Sequence, residues 1–144
     1  MNHLNPIVED YKLMLVFKNI GLQLLQQLKT QMGAPPYNNF FRDFTVTEHN
    51  ELNFSYLQQN FTTGIELFFN HNRMPKTALI ATYWLRPGNA AKSEEIISYA
   101  FDLNYQVNDI YTLSDFAEHY LIEFHQNLKK SFSEHHIPFA IRMK

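Results

Sequence analysis

The sequence predicts an α+β domain in which an antiparallel meander of five strands, with room for a sixth, carries long N- and C-terminal helices on one face. Three observations predict it. Apolar residues recur every three or four positions near both ends of the chain and every second position between them. Short turn-forming patches separate the alternating runs, which favours antiparallel neighbours. A length of 144 residues fits one domain over residues 1–144.

The first helix is predicted over residues 5–32. Asn5 can cap it, and Pro6 suits its first turn, where a backbone N–H is not needed. Gly21 costs some helix propensity and allows either a close approach by another element or a slight bend. Gly33 and the prolines after it end the helix. Its apolar stripe is wide enough to cover a sheet and includes Ile7, Tyr11, Met14, Phe17, Gly21, Leu24, Leu28 and Met32.

The apolar period then changes to two, which predicts strands. The predicted strands cover residues 40–47, 52–57, 64–69, 77–85 and 97–105. The fourth of these is apolar or small on both faces, as is typical of an interior strand. The predicted connections are turns at 49–50 and 58–60 and loops at 70–76 and 86–92.

The second helix is predicted over residues 113–134, with Thr112 or Ser114 as its cap. Its main apolar face consists of Phe116, Tyr120, Phe124, Leu128 and Phe132. Residues 137–143 alternate again and predict a short sixth strand, which Pro138 would confine to a sheet edge. Such a strand either completes its own sheet or adds to the sheet of a partner.

Composition excludes several classes of protein. The chain has no cysteine, which excludes disulfide scaffolds and thiolate zinc sites, and its net charge of −2 disfavours a nucleic-acid binder. The seven histidines lack metal-ligand spacing, and no glycine-rich phosphate loop is present. No secretory signal or apolar run long enough for a membrane span is evident. We therefore expect a cytoplasmic protein that uses no metal, cofactor, nucleic acid or membrane.

The predicted strands have two unlike faces. The face expected to lie under the helices carries Phe44, Val46, Leu52, Phe54, Ile65, Leu67, Phe69, Ile97, Tyr99, Phe101 and Leu103. The opposite face is too polar for a second core and too aromatic for a purely solvated surface. On the fourth strand it contains either Ala78, Ile80 and Trp84 or Leu79 and Tyr83. Its candidate contact residues are Phe41, Asp43, Asn53, Ser55, Glu66, Phe68, Tyr83, Trp84, Ser98 and Asp102.

Three functions follow from that face. The leading hypothesis is a non-enzymatic interaction module that self-associates, as a homo-oligomer, or binds a protein partner through it. The alternative is a binding protein for a small apolar or aromatic ligand, which a cavity of roughly 300 Å³ or more between sheet and helices would favour. The third is an acid–base enzyme that uses Asp43, Glu66 or Asp102, which requires paired carboxylates among them to lie close together.

Overall fold

A computed structural model of the chain describes residues 5–69, 75–86 and 93–139, and its architecture is α+β with one curled antiparallel sheet. The helices are α1 (Pro6–Met32) and α2 (Phe116–Glu134), and a 3₁₀ helix covers Tyr37–Asn39. The strands are β1 (Phe41–Val46), β2 (Leu52–Tyr56), β3 (Gln59–Phe69), β4 (Pro75–Leu85), β5 (Ser93–Phe101), β6 (Gln106–Val107) and β7 (Tyr111–Thr112). Their order in the sheet follows the chain. The predicted class, antiparallel sheet and terminal helices are confirmed.

Helix α1 begins and ends where its sequence signals place it. The Ile7 backbone N–H donates to Asn5 Oδ1 at 3.0 Å, and Pro6 occupies the first turn. The Gly33 N–H donates to the Lys29 carbonyl at 3.1 Å and closes the last turn. The buried residues of α1 begin only at Phe17, so the first eleven residues of the helix extend beyond the core.

Gly21 is the point of closest approach between α1 and the sheet. A Cβ atom added there would lie 2.6 Å from Ile65 Cγ1, closer than real atoms can approach. The helix backbone therefore rests directly on β3, and the close approach expected of Gly21 is confirmed.

Both helices contact the same face of the sheet. The Tyr120 hydroxyl of α2 bonds with the Thr82 hydroxyl at 2.7 Å, and Thr82 bonds with Thr63 at 2.7 Å. Thr63 and Ile65 are two residues apart on β3, so their side chains share a face. The chain of three buried hydroxyls leaves each with a partner, which removes the cost of burying them.

The core under α2 is aromatic. The Phe124 ring lies 5.0 Å from Phe61, 5.7 Å from Phe54 and 6.2 Å from Phe41, measured between ring centroids. Edge-to-face and offset pairs of this kind contribute about 0.5–1.5 kcal/mol each beyond their area burial. Further along α2, Phe132 packs 5.1 Å from the Trp84 ring.

The sheet has seven strands instead of the predicted five or six, because the predicted strand 97–105 ends at Phe101. Asp102 Oδ1 accepts hydrogen bonds from the backbone N–H groups of Asn104 and Gln106, at 2.8 and 3.1 Å. Tyr105 has a positive φ of 63°. A local turn therefore interrupts the alternation, and the short strands β6 and β7 follow it.

The assignment of Phe41 and Trp84 to the uncovered face is wrong, since both rings are buried in the core beneath α2. On β1 the cause is a bulge between Arg42 and Thr45, where Asp43 has φ 57°. An extra residue reverses the alternation of side chains, so Phe41, which pairs with Tyr56, shares the core face with Val46, which pairs with Leu52. Val46 lies on that face but is 44% exposed. On β4, Ala78, Ile80 and Trp84 turn to the helices.

Two predicted boundaries differ from the structure. The turn predicted at 58–60 lies at Leu57 and Gln58, both with positive φ, so β3 begins earlier and adds Phe61 to the core. Helix α2 begins at Phe116, three residues after the predicted start. The predicted loops fall mostly on residues 70–74 and 87–92, which lie outside the described residues.

The predicted sixth strand at 137–143 is described only in part. Residues 137–139 are not in a strand, and residues 140–144 lie outside the described part of the chain. Ile137 and Phe139 pack against the core.

Candidate functional site

The structure places the predicted contact residues in three different environments. Polar or half-buried positions on the sheet face away from the helices are occupied by Asn53, Ser55, Glu66, Tyr83 and Ser98. Phe68 lies on the same face and is 48% exposed. Phe41 and Trp84 are core residues, as described above, and Asp43 and Asp102 lie in a bulge and a turn.

The three carboxylates are not brought together. Asp43 accepts a bond from Ser55 at 3.4 Å, and Ser55 pairs with Asn60 on β3. Glu66 is six residues further along that strand, which corresponds to about 20 Å. The Asp102 carboxylate accepts hydrogen bonds from backbone N–H groups of its own turn. Among the described residues, no three His, Asp or Glu side chains are grouped to hold a metal ion.

A groove of about 610 Å³ lies elsewhere, at the edge of the sheet. We call it the α1–β3 groove. One wall is the N-terminal half of α1, the second is the outer edge of β3 at residues 64–67, and the third is the turn at residues 49–51. The side chains that line it are chiefly apolar, and they include Tyr11, Met14, Leu15, Leu22, Ile65 and Leu67.

The groove exists because β2 and β3 differ in length. β2 has five residues and begins at Leu52, which pairs with Thr63, whereas β3 has eleven and continues to Phe69. Within the described part of the chain, no strand pairs with residues 64–68 on the side away from β4. That stretch of β3 is therefore an open sheet edge.

The hairpin between β2 and β3 determines which backbone groups face this edge. Tyr56 and Gln59 pair directly across a two-residue turn, so the polar groups of Gln59 point toward β2. The direction alternates along a strand. Ile65 and Leu67 therefore point their N–H and C=O groups the same way, toward the open edge.

The hydrogen bonds of strand β5 independently give the same direction for the backbone groups of Ile65 and Leu67. The Asn108 N–H donates to the Ala100 carbonyl at 2.6 Å, and the Ala100 N–H donates to Asn108 Oδ1 at 2.9 Å, so the backbone of Ala100 bonds away from β4. Ala100 is level with Leu79, and Leu79 with Glu66. Because the bonding direction of backbone groups alternates across paired strands, the N–H and C=O of Glu66 point toward β4, and those of Ile65 and Leu67 point toward the open edge.

The α1 wall exposes an unusual amount of apolar surface. Ile7 is 78% exposed and Tyr11 58%, and Met14 and Leu15 are each 38% exposed. Scattered apolar residues are ordinary on a protein surface, but a contiguous strip beside an open strand edge is typical of a contact site.

The polar groups at the groove are unevenly distributed. Glu66 accepts a hydrogen bond from the Tyr83 hydroxyl on the uncovered sheet face. Burial, the bond to Glu66 and the nearby carboxylates raise the pKa of Tyr83, so it remains a neutral donor. The Glu51 side chain lies over Gly64, where an added Cβ would be 3.6 Å from its Cγ. The sheet-face side of the edge is therefore acidic, while the α1 side is apolar apart from Lys18.

No protein-family model, curated protein or solved structure matches this chain. No helix within the described ranges has the length and apolar character needed to cross a membrane. Function is therefore inferred from the geometry of the groove.

The α1–β3 groove was not predicted from the sequence. One signal pointed toward it: the helical stripe begins at Ile7, well before the part of α1 that the sheet can cover. This signal does not show which strands are neighbours, and the open edge depends on that pairing.

Proposed function

We propose that the chain is a non-enzymatic protein-binding module that receives an extended segment of a partner in the α1–β3 groove. The segment adds to β3 as a further strand and continues the line of β2 past Leu52. This keeps the class of function expected from the sequence and moves the contact from the uncovered sheet face to the sheet edge.

The observation that carries the proposal is the open backbone of Ile65 and Leu67 beside an apolar wall. Main-chain hydrogen bonds at a strand edge supply affinity for any extended peptide, and pockets for alternate side chains supply selectivity. Met14 and Leu15 line the groove and can form such pockets. A flexible methionine in particular adapts to side chains of different shape.

The test uses a display library of random octapeptides, selected on the purified chain. The affinities of selected peptides are then measured for the Leu67→Pro variant and for Leu67→Ala as its matched control. Both variants lose the leucine side chain, but only proline removes the outward N–H. We expect Leu67→Pro to bind roughly tenfold more weakly than Leu67→Ala, as the loss of one edge hydrogen bond implies.

A second variant, Met14→Lys, tests the helix wall without altering the strand. Thermal unfolding of each variant establishes that it is folded. If selected peptides bind Leu67→Pro and Met14→Lys as tightly as the unmodified chain, the groove is not the binding site and the proposal fails.

A small apolar ligand is the second candidate, and the groove volume of about 610 Å³ favours it. Small-molecule sites usually bury 70–90% of the ligand, whereas Tyr11 and Met14 leave one wall open to solvent. Anilinonaphthalene sulfonate serves as the probe. Tight binding of this dye that survives Leu67→Pro but not Met14→Lys would favour the small-ligand function over strand addition.

A further inference from the structure

We propose that the segment received by the α1–β3 groove is residues 140–144 of a second copy of this chain. The inference rests on the proposed function and names its partner. These residues read Ala-Ile-Arg-Met-Lys and lie outside the described part of the chain. Their apolar and basic side chains alternate, which is the pattern of a strand whose two faces meet different surroundings.

The two faces of the open edge match that pattern. On the helix side, Met14, Leu22 and Ile65 present an apolar surface for Ile141 and Met143. On the sheet-face side, Glu51 and Glu66 present carboxylates for Arg142 and Lys144.

A strand added to β3 sends alternate side chains to these two sides. A single register therefore satisfies both the apolar and the charged contacts.

The segment cannot reach the groove of its own copy and also lie along it. The Phe139 ring centroid lies 5.1 Å from that of His125 and 5.9 Å from that of Phe132. Phe132 packs on Trp84, and Trp84 pairs with Phe61 of β3. Residues 65–67 are four to six positions further along β3, which is about 13–20 Å. Five extended residues span at most about 17 Å, so they would be used in reaching the edge.

A second copy removes that restriction. Each copy can then donate residues 140–144 to the edge of the other, which gives a closed two-fold dimer with identical contacts on both sides. The dimer covers the apolar strip on α1 and completes the open edge of β3 in both copies.

The experiment is analytical ultracentrifugation of the full chain and its variants at low to high micromolar concentrations. We expect the unmodified chain to form a dimer, and deletion of residues 140–144 to raise its dissociation constant at least tenfold. Leu67→Pro should weaken the dimer more than Leu67→Ala does. A chain that stays monomeric throughout, or a dimer that survives the deletion, overturns the proposal.

Charge reversal supplies the matched control. Arg142→Glu with Lys144→Glu should weaken the dimer, and Glu51→Lys alone should weaken it as well. Combining all three changes should recover part of the affinity, because the lysine introduced at position 51 again faces an opposite charge, while Glu66 does not. Failure of the combination to improve on the parent variants overturns the charged contact on which the assignment depends.

The two proposals can fail separately. A monomeric chain that still selects edge-binding octapeptides would overturn the second copy as partner and leave the binding function in place. A dimer that requires residues 140–144 but ignores Leu67→Pro would place the segment on another surface and overturn the inference.

Discussion

The two halves of β3 belong to one strand but have different surroundings. Residues 59–63 lie between β2 and β4 and beneath α2, and Phe61 and Thr63 are fully buried there. Within the described residues, 64–69 pair with β4 alone, and the outer edge of residues 64–67 faces the α1–β3 groove. We refer to these as the closed half and the open half.

The difference follows from the neighbours and not from the strand itself. Phe61, Ile65 and Leu67 all turn toward the helix side. In the closed half an aromatic side chain meets Phe124 of α2, whereas in the open half α1 touches the strand at Gly21 and then extends past it. A short β2 and a long α1 together leave the edge of β3 open beside a buried core.

Proline substitution should separate the two halves most strongly. Thr63 and Leu67 have the same backbone phase, but the Thr63 N–H bonds with β2 while the Leu67 N–H faces the open edge. We expect Thr63→Pro to destabilise the fold by about 3 kcal/mol or more relative to Thr63→Ala. Leu67→Pro should cost about 1 kcal/mol or less relative to Leu67→Ala, since proline is tolerated at edges.

Urea denaturation measures both differences. Equal losses at the two positions, measured at concentrations where the chain is monomeric, would mean that the outer edge of residues 64–68 is paired within one copy, and would contradict the comparison.

Truncation of an aromatic side chain in the closed half should have the next largest effect. Phe124→Ala removes a ring that contacts Phe41, Phe54, Tyr56 and Phe61. We expect the free energy of unfolding to fall by about 3–5 kcal/mol. Met14→Ala at the open half serves as the counterpart, with a loss below about 1 kcal/mol because its side chain is already partly exposed. Calorimetric or urea unfolding that showed similar losses would make the α1 strip part of the core.

Gly21 marks the boundary between the halves, and its substitution sharpens the comparison. Alanine gains up to about 1 kcal/mol of helix propensity. The added Cβ, however, would collide with Ile65, and overpacking of this kind costs about 1–3 kcal/mol. We therefore expect Gly21→Ala to be destabilising in the unmodified chain. In an Ile65→Ala background the same change should be close to neutral, and a double-mutant cycle measures the coupling. Additive effects would show that α1 does not rest on β3 at this point.

Acid should weaken the closed half through His125. Its Nδ1 lies 2.6 Å from the Tyr56 hydroxyl. Burial, and to a smaller extent the charge of Lys129, lower the pKa of His125. Burial raises the pKa of Tyr56 to about 12. Both groups are neutral near pH 7, with Tyr56 donating to the ring nitrogen. Because the folded chain binds the proton less readily than the unfolded chain, stability should fall as the pH drops below about 6.5 and level off below the folded pKa.

The control for this prediction is His125→Gln, which keeps an acceptor but does not titrate. Its stability, measured by urea unfolding between pH 5 and 8, should depend less on pH than that of the unmodified chain. Parallel pH profiles for the two proteins would show that His125 does not carry the effect.

Local signals in the sequence were sufficient for the helices and the order of elements. Asn5, Pro6 and Gly33 act within one helical turn, so their effect on α1 can be determined from neighbouring residues alone. The alternation of Leu52 with Phe54 likewise predicts a strand with one buried face.

Errors arose where a single residue changed the phase of a strand. Asp43 introduces the bulge that returns Phe41 to the core. The hydrogen bonds that the Asp102 side chain accepts from backbone N–H groups end β5 before Leu103. Aspartate does neither of these things in most strands and turns, so its identity alone does not reveal a bulge or a strand end.

By itself, the sequence determined the class of fold, the ends of α1 and the presence of a largely apolar face on the sheet, because periodicity and capping act over a few residues. Only the tertiary structure decided where the sheet stays open. An open edge depends on how β2, β3 and α1 are placed relative to one another, and these elements differ in length and direction. Strand pairing and helix placement minimise the free energy of the whole chain, and no local pattern contains that information.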